Sequence, residues 1–212
     1  MSATLPDLEA ATAQEVVAYG VEHYHPRLTL ACSFQKEESV LFHMLSELAE
    51  GRPRLRAFTI DTGVLFPETL AMWKQFEERY PQITIDVMDA HSPGEPWTAQ
   101  NCCSAAKVAG LEAALKDVDA WITGIRREQA TTRAAAPKVE RDEKRGIWKL
   151  NPLADWTEKD VWTYIFKHDL PYNPLHDQGY ASIGCAPCTQ PGEGRDGRWA
   201  GTEKTECGIH VV

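Results

Sequence analysis

The sequence predicts an α/β domain with a mostly parallel sheet that is covered by helices on both faces. Short apolar runs alternate with amphipathic segments, and glycine, proline and acidic turn residues separate them. Strands that alternate with helices are typical of parallel sheets, because each connection must cross back over one face. Ligands of such sheets bind at the carboxyl ends of the strands, so we expect functional residues at that edge.

Each predicted element follows from local periodicity and from residues that begin or end helices. The predicted strands cover residues 28–32, 56–60, 83–87, 120–124 and 148–150, and the predicted helices cover residues 10–24, 37–49, 67–80, 99–115 and 158–168. Pro67 suits the first turn of the third helix, where its missing N–H is not needed. Thr157 and Asp160 predict a capping box at the start of the last helix. The densely charged residues 138–146 predict an exposed, mobile loop.

The chain of 212 residues is long enough to bury the core of one domain. We expect a binding domain over residues 1–190 and a loop with a mobile carboxy-terminal segment over residues 191–212. No apolar run approaches the roughly 20 residues that span a bilayer. The first residues include acids where a signal peptide has bases. We therefore expect a cytoplasmic protein without a membrane partner.

The charge of the chain limits its ligands. The net charge of −9 argues against nucleic acid as a partner, because such binding needs many bases. An anionic ligand therefore needs a local basic pocket, and the turn at residues 33–36 offers helix amides to such an anion. The candidate ligand-binding residues at the strand ends and in a glycine-rich loop are Ser33, Phe34, Gln35, Lys36, Asp61, Thr62, Gly63, Gly124, Arg126, Arg127, Arg195 and Arg198.

The cysteines form a pattern that packing alone does not favour. Cys102 and Cys103 are adjacent, Cys185 and Cys188 form a C-x-x-C pair, and Lys107 lies about one turn beyond Cys103. In a reducing compartment such cysteines are more often ligands or catalysts than disulfides. Four thiolates can complete a tetrahedral zinc site or an iron–sulfur cluster. Adjacent helical cysteines diverge by about 100°, which suits a cluster, but the residues alone leave zinc open.

Cys207 is separate from this group and lies near the carboxyl end of the chain, between Glu206 and Gly208 and close to His210. Only a thiolate is a competent nucleophile, and a nearby imidazole favours the thiolate or acts as a general acid or base. Gly208 gives this segment conformational freedom. The pattern indicates that Cys207 is a catalytic nucleophile assisted by His210.

Several rare strings, in a fixed order, resemble the assimilatory adenylyl-sulfate (APS) reductases, which are relatives of the 3′-phosphoadenylyl-sulfate (PAPS) reductases. The resemblance covers about residues 28–210. The matching strings include SFQKE at 33–37, DTGVLFPET at 61–69, CC at 102–103 with Lys107, TGIRR at 123–127, NPL at 151–153, LPYNPLH at 170–176, the stretch 182–188, Arg195, RW at 198–199 and ECGIH at 206–210.

This resemblance implies an adenine-nucleotide hydrolase-like, ATP pyrophosphatase-like Rossmannoid fold with a flexible catalytic carboxy-terminal tail. It implies reduction of APS to sulfite and AMP in assimilatory sulfate reduction, through an S-sulfo intermediate on Cys207 that thioredoxin or glutaredoxin then reduces. It also implies one [4Fe–4S] cluster, which points to APS rather than PAPS. The cluster ligands would be Cys102, Cys103, Cys185 and Cys188, and Lys107 would assist catalysis.

Other functions remain as alternatives. One is PAPS reduction, and another is a sulfur or adenylyl transferase of the ATP pyrophosphatase type. Such a transferase needs a Ser-Gly-Gly-x-Asp-Ser-like loop, and residues 33–38 lack those glycines. A third alternative is a zinc-stabilised nucleotide-binding module in which Cys207 is dispensable. The sequence does not fix the oligomeric state and leaves a homo-oligomer open.

Overall fold

The structure is a computed structural model that describes residues 7–91 and 105–200. Its strands are β1 (Leu28–Ala31), β2 (Leu55–Asp61), β3 (Ile83–Asp89), β4 (Ala120–Ile122), β5 (Val139–Asp142) and β6 (Ile147–Leu150). Its α-helices are α1 (Ala13–Tyr24), α2 (Lys36–Glu47), α3 (Pro67–Arg79), α4 (Ala105–Leu115) and α5 (Glu158–Lys167). The predicted elements are confirmed with small shifts of their ends, and the first part of the predicted helix 99–115 lies outside the described residues.

The strands form one sheet in the order β3-β2-β1-β4-β6-β5. The pairs β1 with β2, β1 with β4, β2 with β3 and β4 with β6 are parallel, and β5 is antiparallel to β6. From the central strand β1, strands β2 and β3 therefore lie towards one edge of the sheet, and strands β4, β6 and β5 lie towards the other edge. Connections on opposite sides of this switch point leave a crevice at the carboxyl ends of β1 and β4.

Two apolar clusters cover the two faces of the sheet. The larger cluster packs α1, α2, α3 and α5 on one face, with Val17, Leu41 and Phe76 among its fully buried side chains. The smaller cluster packs α4 on the other face, where Leu111 contacts the group that contains Trp121. Removing such apolar surface from water contributes roughly 25 cal/mol per Å², so both clusters hold the helices that border the crevice. This arrangement confirms the predicted fold class.

Two predicted helix starts are confirmed. Pro67 occupies the first turn of α3. Thr157 caps α5, since its Oγ1 accepts a hydrogen bond from the Asp160 N–H at 3.2 Å while Asp160 Oδ2 accepts from the Thr157 N–H at 2.8 Å. In residues 7–91 and 105–200, the structure contains no helix long and apolar enough to span a membrane.

The prediction of an exposed, mobile loop at residues 138–146 is wrong. Its first part forms strand β5, which pairs with β6. The charges of this segment are satisfied within the protein, because buried Lys138 donates from Nζ to Asp155 at 2.7 Å and buried Asp142 accepts from Arg145 at 2.6 Å. The guanidinium of Arg141 lies 4.9 Å from the ring centre of Trp148. A charge-rich sequence therefore forms a hairpin when its charges find partners.

Residues 191–200 are attached to the rest of the domain. The Gln190 N–H donates to the Gly197 carbonyl at 2.8 Å, and the Trp199 N–H donates to the Cys188 carbonyl at 2.9 Å. Trp199 is only 1% exposed. The predicted boundary at residue 190 stays a prediction, and residues 201–212 of the predicted mobile segment lie outside the described residues.

Candidate functional site

A cavity of about 370 Å³ lies at the switch point of the sheet, within the volume range of small-molecule sites. Its wall comes from the carboxyl ends of β1, β2 and β4, from α2 and α4, and from the loop around residues 181–198. The structure therefore brings most of the described candidate residues together in one concave site. The candidates that line it are Ser33, Phe34, Gln35, Lys36, Lys107, Gly124, Arg126, Cys185, Arg195 and Arg198.

Phe34 anchors the turn between β1 and α2. Its backbone φ angle of 58° lies in the left-handed region, which a bulky residue rarely adopts. Its fully buried ring stacks on Trp73 with 5.5 Å between centroids and meets Phe76 edge-on at 5.7 Å. This aromatic packing holds the turn in a backbone conformation that would otherwise be unfavourable.

Ser33 and Gln35 are hydrogen-bonded within the protein. Glu38 Oε2 accepts from Ser33 Oγ at 3.0 Å and from the Gln35 N–H at 2.9 Å. Gln35 Nε2 donates to Ser33 Oγ at 3.1 Å, and Gln35 Oε1 accepts from the Ile183 N–H at 2.7 Å. Both ends of the Gln35 amide are therefore engaged, and the direct binding of a ligand by this residue stays a prediction.

Lys36 is ion-paired and buried. Its Nζ donates to Glu158 Oε1 at 2.8 Å and to the Ala181 carbonyl at 2.9 Å, and it lies 5.7 Å from the ring centre of Trp162. The side chain is only 3% exposed. Burial opposes ionisation of Glu158, yet the hydrogen bond and the charge of Lys36 lower the pKa of this carboxyl below its ordinary value. The charge of Lys36 is thus compensated within the protein.

Arg126 is paired in a similar way. Its Nε donates to Glu37 Oε1 at 3.0 Å, and its Nη1 donates to Glu128 Oε2 at 2.9 Å. Gln129 adds a hydrogen bond from Nε2 to Glu37 Oε1 at 3.1 Å. The side chains of Arg126 and Glu37 are 4% and 5% exposed. Loss of either partner would leave a buried charge without compensation, which is strongly destabilising.

Gly124 allows β4 to approach α2 closely. A Cβ atom at this position would lie 2.7 Å from Glu38 Oε1 and 2.8 Å from Glu37 Cβ, so the approach requires glycine. Glu38 is almost completely buried below this contact. Burial and the neighbouring charge of Glu37 raise the pKa of Glu38 to about 8, although hydrogen bonds from Gln35 and Ser33 act in the opposite direction.

The acidic residues in the cavity wall were not among the sequence candidates. No local signal in the sequence identifies Glu37 or Glu158, because their cationic partners lie far away in the chain. Glu128 lies only two residues from its partner Arg126, and Glu38 has the spacing of a helix-cap residue relative to Gln35. We call this part of the cavity the paired end, since its cations are matched by carboxylates. The paired end consists of Lys36, Glu37, Glu38, Arg126, Glu128 and Glu158.

We call a second part of the site the thiol end: it consists of Cys185, Arg195 and Arg198, which line the cavity, and of Cys188 and Trp199, which pack in one cluster with Cys185. Cys185 and Cys188 are each 4% exposed and form an apolar cluster with Trp199. The guanidinium groups of Arg195 and Arg198 lie 5.4 and 4.6 Å from the Trp199 ring centre. Arg198 Nη1 also donates to the Ile183 carbonyl at 3.0 Å. The described acidic lining residues all belong to the paired end, so the thiol end presents basic groups beside thiols.

The candidates at residues 61–63 form a turn beside this cavity and do not line it. The Gly63 N–H donates to Asp61 Oδ1 at 2.9 Å, and Gly63 has a φ angle of 70° that suits glycine. Thr62 Oγ1 lies 3.3 Å from Cys185 Sγ, within hydrogen-bonding distance. The turn therefore supports the thiol end, and a direct contact with a ligand stays a prediction.

The Arg127 side chain lies away from the cavity. Its Nη2 pairs with Glu9 Oε2 at 2.6 Å, and its Nε donates to the Ala136 carbonyl at 2.8 Å. These contacts tie the first described residues to the segment that precedes β5. Adjacent residues of a chain need not face the same site, so this placement does not support the predicted role of Arg127 in ligand binding.

The thiols of Cys185 and Cys188 have the chemistry of part of a metal-ligand set. They are buried, they lie at a single 3₁₀ turn (Ala186–Cys188), and the Thr62 hydroxyl contacts one of them. Thiolates of this kind suit iron–sulfur clusters or zinc. Within residues 7–91 and 105–200, no group of three or more His, Cys, Asp or Glu side chains is arranged to hold a metal ion.

Four predicted site residues lie outside the described residues: Cys102, Cys103, Cys207 and His210. Lys107, near the first described residue of α4, does line the cavity. The predicted cluster and the predicted nucleophile therefore stay predictions.

The fold and the site define a class. A mostly parallel sheet with a partly basic cavity at its switch point is typical of ATP pyrophosphatase-like Rossmannoid proteins, and here the buried thiol of Cys185 borders the cavity. A family profile described as the phosphoadenosine phosphosulfate reductase domain matches residues 27–191. The chain belongs to this family, whose members are oxidoreductases that act on sulfur groups, and the resemblance seen in the sequence is confirmed.

Individual relatives agree with this assignment. The chain is 41% identical to the adenosine 5′-phosphosulfate reductase of Geobacillus thermodenitrificans, over 97% of this chain and 93% of the relative. It is 42% identical to the phosphoadenosine 5′-phosphosulfate reductase of Gloeobacter violaceus, over 93% and 88% of the two chains. The phosphate complex of the PAPS reductase from Candida auris matches with a TM-score of 0.68 and 27% identity, over 88% of this chain and 98% of that chain.

A more distant match extends the fold beyond reductases. The FMN adenylyltransferase of Candida glabrata has a TM-score of 0.67 with 17% identity, over 86% of this chain and 62% of that chain. At this identity the likeness concerns the fold alone. It agrees with the predicted ATP pyrophosphatase-like architecture.

Proposed function

We propose that this protein reduces adenosine 5′-phosphosulfate to sulfite and AMP. The observation that carries the proposal is that Lys107, Arg195 and Arg198 line the cavity at the switch point together with the buried thiol of Cys185. The sulfonated phosphate of the substrate is anionic, so preorganised basic groups favour it and the charge that develops on it. The adenosine part is uncharged and suits the paired end. The relatives named above support the same substrate class.

The proposed reaction has two thiol steps. The Cys207 thiolate attacks the substrate sulfur, a bond forms between Sγ and that sulfur, and the bond from the sulfur to the phosphate oxygen breaks so that AMP leaves with the electron pair. A thiol of thioredoxin or glutaredoxin then attacks Cys207 Sγ and releases sulfite. The second thiol of this partner resolves the mixed disulfide, so the dithiol supplies both electrons.

The residues of the protein divide the work in this scheme. Lys107, Arg195 and Arg198 stabilise negative charge on the sulfo and phosphate groups. His210 favours the Cys207 thiolate or moves its proton. In this scheme the carboxy-terminal segment beyond Trp199 brings Cys207 to the substrate. A cytoplasmic location and a homo-oligomer are both compatible with this scheme.

We also propose that Cys102, Cys103, Cys185 and Cys188 hold one [4Fe–4S] cluster. The burial of Cys185 and Cys188 and the contact with Thr62 support half of this ligand set. When bound, the cluster supplies a fixed anionic centre that orders the surrounding basic groups. Iron and zinc analysis of anaerobically purified protein, together with its visible absorption, distinguishes the cluster from the zinc alternative.

The proposed function is tested by intact-mass analysis after incubation with APS in the absence of reductant. We expect one added sulfo group on the carboxy-terminal peptide of the wild type and none on Cys207→Ser, which retains its iron. Absence of the adduct in the wild type, or full turnover by Cys207→Ser, contradicts the proposal.

PAPS is the second candidate substrate, because a relative with similar identity is named for it. An additional 3′-phosphate needs additional basic groups, and the cations of the paired end are already matched by carboxylates. We therefore expect a higher kcat/KM for APS than for PAPS. A preference for PAPS in a direct comparison favours the second candidate.

A further inference from the structure

One short loop connects the two ends of the cavity. The Lys36 ammonium donates to the Ala181 carbonyl at 2.9 Å, and the Gln35 amide oxygen accepts from the Ile183 N–H at 2.7 Å. Ser182 Oγ approaches the same amide oxygen at 3.5 Å. Two consecutive residues at the start of α2 therefore hold three consecutive residues of the loop that leads directly to Cys185.

The same loop holds Arg198 of the thiol end. Arg198 Nη1 donates to the Ile183 carbonyl at 3.0 Å and to Ser182 Oγ at 3.3 Å. A Cβ atom on Gly184 would overlap the Arg198 guanidinium, so the loop and the arginine fit without spare room. Ile183 is 1% exposed. Its peptide N–H thus contacts Gln35 while its carbonyl contacts Arg198.

We propose that Gln35 is a positioning residue: by accepting the hydrogen bond of Ile183, it fixes the loop that presents Arg198 and Cys185 to the ligand. The inference deepens the proposed function and rests on it for its kinetic part. Gln35 is bound to Ser33 on the other side of its amide, as described above. It acts on the sulfo and phosphate groups through Arg198, and not as their ligand. Small displacements of a positioned group are enough to affect catalysis strongly.

The first test is structural and independent of activity. Gln35→Met preserves the approximate length of the side chain and removes its amide. We expect faster hydrogen exchange at the Ile183 amide, measured by mass spectrometry or NMR, because its acceptor is lost. Gln75→Met, an exposed position on α3, serves as the matched control and leaves this exchange unchanged. Unaltered exchange in Gln35→Met overturns the proposal.

The second test is a double-mutant cycle with Arg198→Met. We expect Gln35→Met alone to lower kcat/KM for APS by roughly 10- to 100-fold, because a misplaced group loses its catalytic effect. In the Arg198→Met background the further loss shrinks to within about twofold, since the two residues act as one unit. If Gln35→Met lowers kcat/KM by the same factor with and without Arg198, Gln35 acts independently of Arg198, and this result overturns the proposal.

The two proposals fail in different ways. If the wild type forms no sulfite from APS, the proposed function fails, and the same cycle is then run on the affinity for inorganic sulfate by calorimetry. Loss of sulfate affinity in Gln35→Met that disappears in the Arg198→Met background supports the positioning role. Independent losses in this assay overturn it.

Discussion

The cationic side chains at the two ends of the cavity have different surroundings. At the paired end, Lys36 and Arg126 are buried against carboxylates. At the thiol end, the guanidinium groups of Arg195 and Arg198 lie over Trp199 beside buried thiols. A buried ion pair fixes geometry at a large desolvation cost, whereas basic groups that border a cavity can stabilise negative charge on a ligand bound there. The comparison teaches that the surroundings of a basic residue decide whether its side chain binds a ligand or supports the fold.

The largest effect on catalysis is expected from the removal of a basic group of the thiol end. Arg198→Met should lower kcat/KM for APS by roughly 10²- to 10³-fold, the usual cost of removing one preorganised donor to developing charge. Arg127→Met is the matched control, because the Arg127 side chain lies away from the cavity and pairs with Glu9. Steady-state sulfite formation measures both. Equal losses in the two variants would contradict the assignment of Arg198 to the site.

The next largest effect, on stability, is expected from the removal of a carboxylate of the paired end. Glu37→Gln leaves the buried Arg126 charge without its buried carboxylate partner, with only the exposed Glu128 still paired to it, so we expect the free energy of unfolding to fall by roughly 3 kcal/mol. Glu112→Gln is the control, since Glu112 pairs with Lys144 and Arg145 at a more exposed position and should cost less than about 1 kcal/mol. Urea unfolding measures both variants. Similar costs would show that burial does not distinguish the two pairs.

A pH titration sharpens the comparison further. The pKa of Glu38 is raised to about 8 from an ordinary value of 4.5. Between these two pH values the folded state therefore retains a proton that the unfolded state has released. The free energy of unfolding therefore falls as pH rises through this window, with a slope of at most about 1.4 kcal/mol per pH unit for this group. Glu38→Gln removes this contribution, and its stability should fall less between pH 5 and pH 8. Parallel stability curves for the two proteins would rule out this role.

The smallest effect concerns the support of the thiol end. Thr62→Val removes the hydroxyl that lies 3.3 Å from Cys185 Sγ, and a hydrogen bond of this kind contributes about 1 kcal/mol or less. The variant should unfold at slightly lower urea concentration than the wild type. Thr163→Val on α5 is a comparison at an exposed hydroxyl. A larger cost at Thr163 would remove Thr62 from the support of this end.

Local periodicity in the sequence was sufficient to predict most of the fold. Strands β1 to β4 and β6, and the capped starts of α3 and α5, follow from patterns within a few residues of each element. Strand β5 did not follow, because its charges are satisfied by partners that the local pattern does not contain. Lys138 pairs with Asp155, and Arg141 stacks on Trp148. Charge density alone therefore could not separate a hairpin from a solvated loop.

The candidate site was predictable in location but not in detail. Strand ends and helix starts identified where Lys36 and Arg126 would lie. Two of their partners could not be identified, because Glu158 is 122 residues from Lys36 and Glu37 is 89 residues from Arg126. The direction of Arg127 depends on Glu9 in the same way. Position along the chain predicts proximity to a site, whereas the orientation of a side chain depends on the complete tertiary structure.

Trp199 provides the molecule with an optical reporter. Its indole is 1% exposed and packs against Cys185 and Cys188, with Arg195 and Arg198 over its ring. The emission of an indole responds to nearby charges and to the polarity around it, so a negative group that draws the arginines away should change the fluorescence of this residue. In a variant whose other tryptophans are replaced by phenylalanine, occupancy could be followed in real time without an added dye.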